Sequence, residues 1–116
     1  MATIETRNEV LATLTTRERR RGAWQIWLQG KCFDAVGAVA GDPYDVKMEE
    51  GRAEILFHKH GRRNLHAHSS SNRCVIDLTS LAVAKHFGAC TVEVTAGRDA
   101  VLAERDGVKT LVITRV

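Results

Sequence analysis

Period-two alternation of apolar and polar residues dominates the chain, and two short helical spacings interrupt it. In AWQIWLQG, Trp24, Ile26 and Leu28 share one face and Trp27 takes the other, which predicts a strand. KCFDAVG follows, with Cys32, Phe33 and Val36 on one face of a short helix and Gly37 at its C-terminal cap. AGDPY predicts a turn, where Asp42 bonds a nearby backbone N–H and Pro43 bends the chain. DVKMEEGRAEILFHKH reads as a hairpin. Val46 and Met48 face inward, the turn falls at Glu49–Arg52, and Ile55 and Phe57 return.

GRRNLHAH predicts a further turn and a polar strand, and SSSN, residues 69–72, is a linker-like stretch. RCVIDL predicts a strand and TSLAVAKHFG a short helix. Thr79 or Ser80 caps that helix, Leu81, Val83, Ala84 and Phe87 are apolar, and Gly88 stands at its end. CTVEV, a turn at Ala96–Asp99 and AVLAE predict a second hairpin. Asp106–Gly107 is a two-residue hairpin signal before a last strand, TLVITRV. Residues 3–15 fit either a short helix or a strand, and their threonines favour a strand near the end.

Two stretches echo one another. VKMEEGRAEIL sets Val46 on Val92, Met48 on Val94, Gly51 on Gly97, Ile55 on Val101 and Leu56 on Leu102 of VEVTAGRDAVL. QIWLQGKCFDAVGA likewise corresponds to VIDLTSLAVAKHFGA, with a four-residue deletion where the first copy has GDPY. One domain over residues 1–116 follows. It has a first repeat at about 20–60, a second at about 73–105 and a C-terminal strand at 108–115. One such repeat does not close a sheet alone. Two copies that bury each other's apolar faces predict a mainly β fold with short helices, closed as a small pseudo-twofold barrel.

Composition adds little to this except through charge. Apolar residues make up 44% and charged residues 27%, ordinary values for a globular chain. No long apolar run spans a membrane, and the N-terminus lacks a signal-peptide pattern, so a cytoplasmic protein is expected. Cys32, Cys74 and Cys90 lack metal or redox spacing and read as small apolar side chains. The net charge of +3 is segregated. Residues 17–31 carry Arg17, Arg19, Arg20, Arg21 and Lys31 against Glu18. Residues 55–76 carry Lys59, Arg62, Arg63 and Arg73 and no acid. A basic surface on an acidic body is the footprint of a polyanion partner.

Q-I-W-L-Q-G-K-C-F-D-A-V-G-A, then A-G-D, then V-x-M-x-x-G-x-x-x-I, resembles the swapped-hairpin barrels of the AbrB, MazE and SpoVT superfamily, with a SymE-like flavour. The resemblance covers most of residues 24–57 and, more loosely, 73–103. Members typically carry one copy and dimerise, whereas this chain has two, and the second copy lacks Gly-Asp. The resemblance implies a monomeric pseudo-dimer or a homodimer that binds DNA in regulation. SymE-like members imply RNA binding or cleavage instead.

Arg17, Arg19, Arg20, Arg21, Lys31, Lys59, Arg62, Arg63 and Arg73 are therefore the candidate nucleic-acid contacts. The two basic segments precede equivalent strands of the repeat, which is expected to set them on one side. His58-x-His60 and His66-x-His68 are the candidate metal ligands. With His60 opposite His66 all four share a face; with His60 opposite Leu65 they split, and both registers fit. His60 and His66 are also the candidates for acid–base cleavage of RNA beside Arg62 and Arg63. No G-x-S-x-G, H-E-x-x-H or phosphate-loop motif occurs, so a non-enzymatic protein without a cofactor is expected. Asp34, Asp42 and Asp77 read as turn or cap residues. A small module that binds a protein partner through a sheet edge is the remaining class.

Overall fold

The structure is a computed structural model and describes residues 10–67, 73–97 and 109–116. Strand β1 (Val10–Thr15) settles the ambiguous N-terminal stretch as extended chain from residue 10 onward; residues 3–9 lie outside the described residues. The short strand β2 (Arg17–Glu18) then turns into β3 (Trp24–Gln29). That turn closes with Ala23 N–H donating to the Arg20 carbonyl at 2.8 Å. Its central residues, Arg21 and Gly22, have φ of 47° and 82°. This is the left-handed pair that a tight hairpin turn needs.

Helix α1 (Lys31–Val36) buries Cys32 and Phe33. Gly37 ends it in the left-handed region, and Ala38 N–H reaches back to the Phe33 carbonyl at 2.9 Å. Strands β4 (Pro43–Glu49) and β5 (Arg52–Phe57) form the expected first hairpin, with Val46 opposite Ile55. The expected polar strand over GRRNLHAH is instead broken in two. Strand β6 (Arg63–Asn64) pairs with β4, and β7 (His66–Ala67) pairs with β8 (Cys74–Ser80). Buried Leu65 is the break. Helix α2 (Leu81–His86) is capped by Ser80, whose hydroxyl accepts from Val83 N–H at 3.2 Å. Strands β9 (Thr91–Ala96) and β10 (Lys109–Arg115) are the last of the described residues' strands.

The strands are antiparallel and form two sheets. One has six strands in the order β1-β9-β10-β5-β4-β6, and the other four in the order β2-β3-β8-β7. Exchange β1 for β6, β2 for β7, β3 for β8, β4 for β9 and β5 for β10, and both orders read the same from the other end. The described elements thus follow two copies of one order, β-β-β-α-β-β, related by a twofold that passes between β3 and β8 and between β5 and β10. Each leading strand crosses over: β1 pairs with β9 of the other copy, and β6 with β4.

The relation holds at the hydrogen-bond level. Thr16 N–H donates to the Cys90 carbonyl at 3.0 Å, and Leu65 N–H to the Asp42 carbonyl at 2.9 Å. Thr16 and Leu65 are the buried corners at which the chain leaves one sheet for the other. Leu65 fills its corner with an apolar side chain. Thr16 uses its hydroxyl, which donates to the Gly88 carbonyl at 2.7 Å and accepts from Cys90 N–H at 3.0 Å. Replacing Thr16 by valine is expected to cost about 1–3 kcal/mol, because Cys90 N–H loses its acceptor. Urea unfolding measures this.

The inner faces bury one core. The four-stranded sheet contributes Ile26, Leu28, Ile76 and Leu78; the six-stranded sheet contributes Ala53, Ile55, Val92, Val94, Leu111 and Ile113. Phe33 and Val83 enter from the helices, and Phe33 meets Phe57 edge-on at 6.4 Å between centroids.

Three expectations are corrected here. The return strand seen beside CTVEV is TLVITR, and the expected partner AVLAE lies outside the described residues. β9 has β1 on one edge and β10 on the other, so its return partner is TLVITR; residues 98–108 lie outside the described residues. The echo is also displaced. The corner pairings set Tyr44, not Val46, on Val92, and the loop at 37–42 exceeds its counterpart at 87–90 by two residues rather than four. Third, β1 and β6 end one sheet and β2 and β7 the other, so no closed barrel is formed among the described residues. Among the same residues, no helix is long and apolar enough to cross a membrane.

Candidate nucleic-acid interface

The first basic group sits at the Thr16 corner. Arg17 lies on β2, and Arg19, Arg20 and Arg21 form the turn into β3; all are exposed. Arg21 is a non-glycine residue held at positive φ, a position that asparagine or glycine occupies at lower cost. The second group sits at the Leu65 corner. Lys59 and Arg62 lie between β5 and β6, Arg63 on β6 and Arg73 just before β8, and all are exposed. Gly61 lets this segment lie flat, since a Cβ there would fall 2.3 Å from the Tyr44 backbone nitrogen. Burial pushes the Tyr44 phenol up, and the nearby Arg63 charge offsets part of that pull.

The twofold therefore places the groups at equivalent corners, but not side by side. The Arg19–Arg21 turn adjoins Trp24, which pairs with Ser80. Arg73 adjoins Cys74, whose carbonyl accepts from Gly30 N–H at 3.4 Å. The groups thus stand at opposite ends of the β3–β8 ladder, about 17 Å apart along the strands. Lys31, exposed at the start of α1, joins the Arg73 end.

Between the ends lies the outer face of the four-stranded sheet. Gln25, Trp27 and Gln29 on β3 stand opposite Thr79, Asp77 and Val75 on β8. Arg17 flanks this face beside Gln25, and His66 flanks it beside Val75. Gln25 Nε2 and the Thr79 hydroxyl both donate to Asp77 Oδ1, and Trp27 Nε1 donates to Gln29 Oε1 at 3.0 Å. Asp77 is thus a mid-strand acceptor and not a turn residue. Asp42 does cap its turn, accepting from Val39 N–H at 2.8 Å. The row of outward side chains was legible as period two, but nothing in the sequence joins Trp27 to Asp77.

Ion pairing separates the basic residues into two classes. On the six-stranded sheet, Arg52 meets Glu54 at 2.8 Å, Lys47 meets Glu49 at 3.4 Å and Arg115 meets Glu50 at 3.6 Å. None of Arg17, Arg19, Arg20, Arg21, Lys31, Lys59, Arg62, Arg63 and Arg73 has a carboxylate ion-pair partner among the described residues.

The histidines do not assemble in either of the expected registers, because β6 and β7 pair with β4 and β8 and not with residues 58–60. His58 Nε2 meets Asp45 Oδ2 at 2.7 Å, His60 is exposed in the connecting turn, and His66 lies on the other sheet. His68 lies outside the described residues. No cluster of three or more His, Cys, Asp or Glu with metal-binding geometry occurs among the described residues.

Asp45 is the residue that sequence reading passed over. Besides His58, it accepts from Arg62 backbone N–H at 3.0 Å, so one carboxylate clips the basic segment onto β4. The Arg62 N–H, the His58 ring and the nearby positive charges hold its carboxyl below the usual value of 3.8. A lowered folded-state pKa means that the clip is fully present above pH 3.8 and is lost only as pH falls through the lower folded value. Exchange protection of the Arg62 amide is expected to persist at pH 4 and to fade below it. In Asp45→Asn, amide exchange measured by NMR is expected to show weaker protection of Arg62 throughout.

No family model matches the chain, and neither a curated protein nor a solved structure matches it.

Proposed function

We propose that the chain is a non-enzymatic protein that binds duplex DNA, in a regulatory role, through the two basic corners of the four-stranded sheet. The observation that carries this reading is the split in ion pairing. Lys47 and Arg52 of the β4–β5 hairpin and Arg115 of β10 have carboxylate partners, while the arginines and lysines of both corners are exposed and have no carboxylate ion-pair partner among the described residues. Unneutralised arginines gain most from displacing counterions on a phosphate backbone. Arginines at two ends of a twofold ladder match a target with two antiparallel phosphate strands. The strained φ of Arg21 supports the same reading, because it keeps an arginine where a turn prefers asparagine or glycine. We read the fold as an opened relative of the swapped-hairpin barrels, supported by the twofold strand order and the exchanged leading strands.

Fluorescence anisotropy with mixed-sequence duplexes tests the function. Contacts with about six phosphates give a log–log salt slope near −5. Absence of binding even at low salt overturns the reading.

A further inference from the structure

One cleft breaks the internal symmetry. It has a volume of about 550 Å³ and lies at the Arg73 end of the four-stranded sheet. Lys31, Asp34 and Arg73 line its polar side, and Phe33, Ala38 and Val39 its apolar side. The twofold maps this place onto the start of α2, and each chemical feature is missing there. Leu81, exposed, stands for Lys31, Ala84 for Asp34 and Ala23 for Arg73. Ser80, whose hydroxyl caps its helix, stands for Gly30, which has no side chain. The Arg73 guanidinium lies 3.9 Å from where a Gly30 Cβ would be, so the glycine leaves space beside it. Ala38 and Val39 belong to the loop that is two residues longer than its counterpart.

Packing does not require these differences, since the second copy closes its half of the core without them. Two cations, a longer loop and a lost side chain converge on this concavity, and the described residues of the second copy supply none of them. We infer that this cleft is a binding site for a phosphate monoester of nucleotide size. Its volume falls in the range of small-molecule sites. A phosphate monoester carries close to two negative charges at neutral pH and three acceptor oxygens, which suits the Arg73 fork and the Lys31 ammonium together. A carboxylate offers half that charge. Asp34 accepts from a hydroxyl or amino group of the ligand body, and Ala38 and Val39 cover its flat face. The site shares Lys31 and Arg73 with the second basic corner of the duplex reading, while the Thr16 corner belongs to the duplex reading alone.

Amide NMR of the full chain tests it with four probes: a purine nucleoside monophosphate, the same nucleoside, inorganic phosphate and a 5′-phosphorylated oligonucleotide. The monophosphate is expected to shift the amides of Gly30, Ala40 and Cys74, and the nucleoside is not. Lys31→Ala and Arg73→Ala, both at exposed positions, are expected to weaken binding about ten-fold or more, while Lys47→Ala, which removes a cation already paired with Glu49, leaves it unchanged. Binding of the nucleoside alone, equal binding of inorganic phosphate, or shifts spread over every basic segment overturns the proposal. Shifts with the 5′-phosphorylated oligonucleotide but not with the free nucleotide also overturn it, and assign the phosphate to a strand end. Loss of duplex binding in an Arg19, Arg20 and Arg21 variant that still binds nucleotide separates the two functions.

Discussion

Replacing Arg19 and Arg20 by alanine and Arg21 by asparagine is expected to flatten the salt dependence of duplex binding by about three units of log–log slope. Each phosphate contact contributes about one unit, and these three arginines are exposed with no carboxylate ion-pair partner among the described residues. Asparagine is chosen at residue 21 because the backbone there has φ of 47°. An alanine would confuse lost charge with added turn strain. The fold is expected to tolerate the change, since surface substitutions away from packing stay within about 0.5 kcal/mol. The matched control is Lys47→Ala with Arg52→Ala, which removes cations that already meet Glu49 and Glu54. The control is expected to leave the slope within one unit of the parent. An unchanged slope in the arginine variant, or an equal drop in the control, places the DNA contacts elsewhere.

Cutting the chain within residues 68–72 is expected to leave two halves that do not fold alone and that fold together on mixing. The reason is where the long ladders run. β3 pairs over its whole length with β8, β5 with β10, and β1 with β9, and each ladder joins one copy to the other. The first half alone keeps the β4–β5 hairpin and short pieces beside it, and a lone hairpin is marginal in water. It also exposes Ile26, Leu28 and Ile55, whose cover includes Ile76, Leu78, Leu111 and Ile113 from the second half. Circular dichroism with thermal melts reads this out. A cooperative melt from either half alone shows that the copies are independent domains. A milder version is Ile113→Ala, fully buried on the β5–β10 seam, which is expected to cost about 2–5 kcal/mol.

Much of the local structure was legible. Ile26 and Leu28 alternate with Gln25 and Trp27, and β3 buries the first pair at 0% exposure. Gly37, the glycine after the apolar run of KCFDAV, sits in the left-handed region with its N–H bonded to the Asp34 and Phe33 carbonyls. Ser80 was one of two cap candidates and is the one that accepts from Val83. These outcomes depend on residues within a turn of one another, so local chemistry decides them. The GRRNLHAH stretch failed for a different reason. Its break at Leu65 exists because that side chain has a core to enter, and the neighbouring polar residues give no sign of it. The histidine registers failed with it, since both set residues 58–60 against residues 65–68, whereas β6 pairs with β4 and β7 with β8.

The echo between VKMEEGRAEIL and VEVTAGRDAVL marks the boundary most clearly. By itself the sequence determined that the chain has two related units, each with a strand, a short helix and further strands, and that arginines lead both. It also determined which side chains face inward, because facing follows period two. Only the tertiary structure decided which strands meet. A slip of two residues keeps every side chain on its own face, so Val46 suits Val92 and Val94 equally well as a counterpart. The corner bonds of Thr16 and Leu65, between segments far apart in the chain, select Val94. The same long-range pairing gives β9 the partners β1 and β10. It also sets the basic corners at opposite ends of one ladder, and it brings Lys31 and Arg73 to one cleft.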